Sequence, residues 1–244
     1  MPPSRRGATP GSVSENPLKH FRFDAPPQRA PGPEVREAAP PHSRVSLEVL
    51  RDTAMGCRAC PLWRGATQTV FGEGGKHAPL FVVGEQPGHN EDLEGHPFVG
   101  PAGQLLEKAF AMAGVSRDMI YLTNAVKHFK WELRGKRRMH KTPVQREISA
   151  CLPWLDAELE LVAPHVILCL GATAAKAVIG ATVRVGEHRG HTLKTATGIP
   201  TMVTIHPAYV LRLRGGESEV AYKMLVEDVA AAAKRAREAI PAMG

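Results

Sequence analysis

The 244-residue chain carries 31 Lys and Arg against 24 Asp and Glu, a formal net charge of +7, with 43% hydrophobic and 5% aromatic residues. That length suits one α/β domain of about 200 residues, or two small ones, and the apolar share excludes disorder as the general state. The positive balance favours a polyanionic partner such as nucleic acid, and no apolar run reaches the length of a membrane span or a secretory signal. A cytoplasmic, monomeric protein is expected, in which four cysteines are too few for a disulfide scaffold and read as ligands or buried thiols.

Residues 1–45 hold 10 of the 21 prolines and seven Lys or Arg with almost no periodic apolar residues. Such a segment cannot bury enough surface to offset its ordering entropy, so it is expected to be a disordered, Pro-rich basic tail ahead of one domain at 46–244. From residue 46 the pattern is α/β. SLEVLRDTAMGC (46–57) has helical spacing behind a Ser N-cap, and PLFVVG (79–84) is a short apolar run closing on Gly, as buried parallel strands do. A helix over 102–114 and a strand over 119–123 follow. A helical stripe spans 143–163, interrupted by Pro153. HVILCLG (165–171) is another strand, ATAAKAV a helix, 199–207 a strand ending at His-Pro, and 217–239 a last amphipathic helix. Strands alternating with helices predict a three-layer α/β/α fold around a mainly parallel, four-stranded sheet. Sites in such folds lie at the carboxyl ends of strands, where GEQPG, TNAVK and HPAYVLR all fall.

Cys57 and Cys60 form a CxxC, and Cys151 and Cys169 follow on a predicted helix and strand. Four thiolates at this spacing suit zinc or an iron–sulfur cluster, and spacing does not separate the two; buried thiols beside a chance CxxC are the plainer alternative. The run from Lys127 to Lys141 holds seven Lys or Arg, the aromatics Phe129 and Trp131, and Gly135. A charge run is usually a solvated face, but cations interleaved with aromatics match phosphate binding and base stacking.

Taken together, GEQPG (84–88), HPFVGPAG (96–103), TNAVKHFK (123–130), the four cysteines and HPAYVLR (206–212) resemble a uracil-DNA glycosylase of the iron–sulfur type, family 4, over about residues 46–240. RGKRRMHK (134–141) resembles the basic loop of the UdgX subgroup, whose members trap uracil-DNA covalently; Met139 stands where that loop has Ile. The resemblance implies a 4Fe-4S cluster on Cys57, Cys60, Cys151 and Cys169. It implies uracil-containing DNA, single- or double-stranded, as the partner, and a uracil pocket that includes Phe98 and Asn124.

The residues also have readings of their own. Gly84 and Gly88 let a loop turn after the strand and present Glu85 and Gln86, where a carboxylate stabilises positive charge on a sugar. Phe98 suits stacking on a flipped pyrimidine, and Asn124 suits donation to O4 and acceptance from N3–H. His206 suits donation to O2 as charge gathers on the base, and Arg212, with Tyr209 and Leu211, suits contact with DNA. Lys136, Arg137 and Arg138 are the expected phosphate contacts. His140 is the expected nucleophile toward the oxocarbenium-like sugar, kept neutral by its cationic neighbours; a phosphate contact is the plainer role for it. Asp92 and His96 are secondary polar candidates. A conventional turnover glycosylase and a noncatalytic cluster-bearing DNA-binding module are the competing functions.

Overall fold

The computed structural model describes residues 46–180, 183–195 and 197–239. The proline-rich segment expected as a tail lies outside the described residues. Helix α1 (Leu47–Met55) starts as expected, with the Ser46 hydroxyl accepting the Val49 N–H at 3.3 Å. Strands β1 (Glu73–Gly74) and β2 (Leu80–Gly84) follow, then α2 (His89–Glu94), α3 (Pro101–Met112) and β3 (Ile120–Asn124). A hairpin of β4 (Trp131–Arg134) and β5 (Arg137–His140) comes next, then α4 (Gln145–Val162), β6 (Val166–Leu170) and α5 (Gly171–Ile179). Short α6 (Val185–His188), β7 (Thr192–Leu193), β8 (Thr201–Thr204) and α7 (Pro207–Val210) lead to α8 (Gly216–Glu238).

The main sheet has the order β1-β3-β2-β6-β8-β7. Its four central strands are parallel, as the alternating pattern predicts, and every residue of them is buried. Two antiparallel edge strands of two residues each, β1 and β7, extend it to six; so short a strand leaves no periodic signal. Helices α3, α7 and α8 pack together, as do α1, α4 and α5, and α5 and α8 both lie against the sheet. No described helix is long and apolar enough to cross a membrane.

Two local expectations change. Helix α4 runs unbroken through Pro153. The carbonyl deprived of its partner belongs to Ser149, an exposed residue of the helix. The basic run is not a loop but the β4–β5 hairpin, with Arg134 paired to Arg137 around a two-residue turn. Gly135 supplies the left-handed φ of +61° that this turn needs.

Candidate active site

Strands β2, β3, β6 and β8 deliver their carboxyl ends to one cleft of about 1490 Å³, lined among others by Glu85, Asn124, His140, Thr173, His206 and Arg212. Gly84 is needed here for space: a Cβ on it would collide with Asn124 Oδ1 and the Phe98 ring. Its φ is not left-handed, so room for the pocket, not a tight turn, is what the residue supplies. Phe98 itself has φ +60°, a strained conformation for a bulky side chain, and the missing Cβ of Gly103 leaves space for the Phe98 carbonyl. Its ring lies 6.4 Å from that of His206 at an interplanar angle of 27°.

Asn124 is 3% exposed, and its Oδ1 is buried with no partner, an acceptor left open beside the cleft. Its turn is anchored from below. Lys127 Nζ donates to the Asn124 carbonyl at 2.8 Å, to Thr123 Oγ1 at 2.7 Å and to Glu158 Oε2 at 2.5 Å, all fully buried. Lys127 is therefore not one of the DNA-facing cations that the basic run suggested.

His206 caps α7, its Nδ1 accepting the Ala208 N–H at 3.1 Å. Desolvation, with His140 and Arg212 nearby, holds its pKa down to about 4, so the ring is neutral and its one proton sits on Nε2. Glu85 Oε2 accepts the Thr173 hydroxyl at 2.5 Å, and Glu85 Oε1 lies 3.5 Å from His140 Nε2. His140 is about half exposed, yet desolvation and Arg212 keep its pKa below the ordinary 6.5 against the pull of Glu85. Burial, rather than the neighbouring hairpin cations, is the main cause.

The hairpin bearing His140 is fastened at three points. Gln86 Nε2 donates to the carbonyls of Lys130 (3.0 Å) and Lys141 (3.3 Å), and Gln86 Oε1 accepts the Lys130 N–H at 3.2 Å. Arg138 pairs with the fully buried Asp92 at 2.7 Å, and its guanidinium lies over Phe129 and Trp131. Lys130 pairs with Glu147 at 2.8 Å. Gln86 and Arg138 thus hold the hairpin, while Lys136 and Arg137 are exposed around its turn, with no ion pair to them among the described residues. Glu91 ties the two site loops together, accepting from the N–H groups of Gly88 (3.0 Å) and Gly100 (2.8 Å). His96 instead pairs with Glu73 at 2.6 Å and is absent from the cleft lining. Tyr209 and Arg212 line the cleft, and Leu211 is half exposed beside them. Thr173 and Arg184 line the cleft without having been anticipated. Thr173 has a signal in the sequence, a hydroxyl at the helix start just after a buried strand; Arg184 has none.

The four cysteines are buried and free of disulfides. Trp154 Nε1 donates to Cys57 Sγ at 3.2 Å, and Trp154 shares a face of α4 with Cys151. A hydrogen bond from the Cys151 thiol, and the nearby His128, draw the Cys60 thiol down to about 5. Cys169 sits in the sheet between Val83 and Val203, its thiol pushed up by burial alone. Among the described residues no group of three or more His, Cys, Asp or Glu side chains stands as a metal site. Three soft, buried thiols near α4 nonetheless fit a cluster's donor chemistry.

Residues 71–230 match the model of the uracil DNA glycosylase superfamily. The chain is 35% identical to the type-4 uracil-DNA glycosylase of Thermotoga maritima over 75% of this chain and 91% of that protein. It is 37% identical to the type-4 enzyme of Sulfurisphaera tokodaii over 59% of this chain and 61% of that one. Against the type-4 enzyme of Pyrobaculum aerophilum the figures are 35%, 70% and 89%.

Proposed function

The chain belongs to the uracil DNA glycosylase superfamily, and from that premise we propose that it excises uracil from DNA, as a repair activity, and then bonds to the abasic sugar through His140. A flipped uracil stacks on Phe98. Asn124 meets its Watson–Crick edge, with the open Oδ1 accepting from N3–H and the amide nitrogen donating to O4. His206 Nε2–H donates to O2, and because Nδ1 is occupied by the Ala208 N–H the ring stays fixed in that tautomer. As the N1–C1′ bond breaks, its electron pair leaves with the base and positive charge grows on the sugar, where Glu85 stabilises it. The His140 Nε2 lone pair then bonds to C1′ on the side that Glu85 also faces. The resulting imidazolium gives up its remaining N–H proton to solvent and becomes an alkylated imidazole, a poor leaving group.

The observation that carries this reading is the position of His140. The hairpin delivers a neutral imidazole beside Glu85, in the same cleft as Asn124, Phe98 and His206. That arrangement fits the resemblance of RGKRRMHK to the UdgX subgroup better than it fits a phosphate contact, which would benefit from a protonated ring. Lys136 and Arg137 are positioned to meet DNA phosphates, and Gln86 and Arg138 act by holding the hairpin.

A 4Fe-4S cluster belongs to the same reading, with Cys57, Cys60 and Cys151 among its ligands. When bound it ties the segment after α1 to α4, and no step of the excision passes through it. Mixing the protein with uracil-containing DNA and running a denaturing gel tests the function. The wild type is expected to give a heat- and SDS-resistant band. His140→Ser is expected to lose that band and release base, leaving a cleavable abasic product. Free abasic product from the wild type would point to a turnover enzyme, and neither species to a DNA-binding module.

A further inference from the structure

Resting on the cluster reading above, we propose that His128 Nδ1, and not the Cys169 thiolate, is the fourth protein ligand of the cluster, alongside Cys57, Cys60 and Cys151. His128 follows Lys127 on the turn after β3 and is 3% exposed. Its ring is placed at the end of α1 by a chain of hydrogen bonds. His128 Nε2 lies 3.0 Å from Thr69 Oγ1, which donates to the Ala54 carbonyl at 3.0 Å, and that carbonyl also accepts the Cys57 N–H at 3.0 Å. The imidazole therefore stands three hydrogen bonds from the first cysteine of the CxxC, and it also interacts with the thiol of the second.

The same chain settles which ring nitrogen is free. The Thr69 hydroxyl has one proton, and it goes to the Ala54 carbonyl; the contact with His128 must then be Nε2–H donating to Thr69 Oγ1. Nδ1 is left with a buried lone pair that meets no hydrogen bond of ordinary geometry, and the Cys60 thiol interacts with the same ring. A buried acceptor of this kind has lost its water and gained at most a weak thiol contact in exchange, which calls for an explanation. A histidine that ligates iron has this form: one nitrogen is fixed by a hydrogen bond to a neighbouring oxygen, and the other offers its lone pair to the metal. Imidazole replaces thiolate on iron in Rieske-type clusters.

Cys169 is in the wrong place for the role. It lies on the same row of the sheet as Thr123, since both pair with Val83. Thr123 is hydrogen-bonded to Glu158 of α4, which marks that row's level along the helix. Cys151 is seven residues from Glu158, about 10 Å of helix rise. The central strands hold Cys169 rigidly at its row, between two valines, so it cannot travel that distance.

The test is made on the full-length protein, purified without oxygen. Iron and acid-labile sulfide per chain are measured first, and a wild type without iron removes the cluster reading altogether. With the cluster present, Cys169→Val, which matches its valine neighbours, is expected to keep the wild-type iron content. His128→Ala is expected to retain less than about half of it. His128→Cys restores an all-thiolate set and should recover the iron with a lower reduction potential. Pulsed electron paramagnetic resonance of the wild-type cluster, reduced by one electron with dithionite to its paramagnetic state, should show coupling to a directly bound nitrogen that His128→Cys lacks, a readout independent of activity and of the folding of the alanine variant. Iron lost in Cys169→Val but kept in His128→Ala, or no nitrogen coupling in the wild type, overturns the proposal.

Discussion

Lys127 and Lys136 belong to one basic run, and the fold gives them opposite surroundings. Lys127 is 1% exposed and neutralised by a fully buried Glu158, beneath the turn that presents Asn124. Lys136 sits exposed in the turn of the hairpin that presents His140. The floor of the cleft that carries Asn124 is thus built on strand ends and a buried ion pair. The wall that carries His140 is a two-stranded arm, held to the domain by Gln86, Arg138 and Lys130. On the proposed function, the floor fixes which base fits, and the arm brings a nucleophile to whatever the floor has accepted. The two regions should therefore fail separately.

The largest separation comes from breaking the floor. Lys127→Met leaves the Glu158 carboxylate buried without its cation and is expected to cost about 3–5 kcal/mol of folding stability, read by denaturant unfolding. Pairing it with Glu158→Leu should recover most of that loss, because two apolar groups no longer need each other's charge. Neither variant should change the salt dependence of DNA binding, since Lys127 does not face the DNA. A drop in the salt slope with Lys127→Met would return that residue to the interface and blur the comparison.

This division was only half legible in the sequence. The parallel core and the meeting of GEQPG, TNAVK and HPAYVLR at one edge follow from apolar runs alternating with helical stripes, because burial of whole strands leaves a strong local signal. The fates of the seven cations leave no such signal. Whether a lysine points inward depends on a carboxylate 31 residues further on in Glu158, and whether an arginine binds DNA or Asp92 depends on a contact 46 residues away. Phe98's left-handed backbone and the hydroxyl of Thr173 on Glu85 likewise exist only once the loops are assembled. The cysteines show the same gap: the sequence counts four thiols, and only the fold shows that Cys60 and Cys151 interact while Cys169 lies inside the sheet.

Acid should separate floor from arm by about tenfold per pH unit. His140 must be neutral to bond C1′, and desolvation keeps its pKa below 6.5, so capture should be level near pH 7 and above. Capture is lost as pH falls through that lowered value, since each further unit cuts the neutral fraction about tenfold. His206 stays neutral down to about 4, so excision persists in the interval where capture has faded. Single-turnover assays that count released uracil and covalent band together measure both. If capture strengthened toward acid, His140 would be acting as a cation toward phosphate, and the wall would have no nucleophile.

The smallest effect belongs to the exposed cations, and it tests how many of the seven touch DNA. Lys130, Arg134, Arg138 and Lys141 all have carboxylate partners, Glu147, Glu132, Asp92 and Glu132 respectively, and Lys127 is buried. Only Lys136 and Arg137 remain without an ion pair among the described residues of that run. A cation already paired to a carboxylate releases few counterions on meeting a phosphate, whereas a free one contributes about 0.9 to the slope of log K against log salt on duplex DNA. Lys136→Ala with Arg137→Ala should therefore lower that slope by about two units while leaving folding stability unchanged, because both side chains are solvated. Titrations of uracil-free DNA at several salt concentrations isolate this term from base reading and capture. An unchanged slope would mean that the tip of the hairpin points away from the backbone, and Arg212, which also lines the cleft, would then be the cation that sets the salt response.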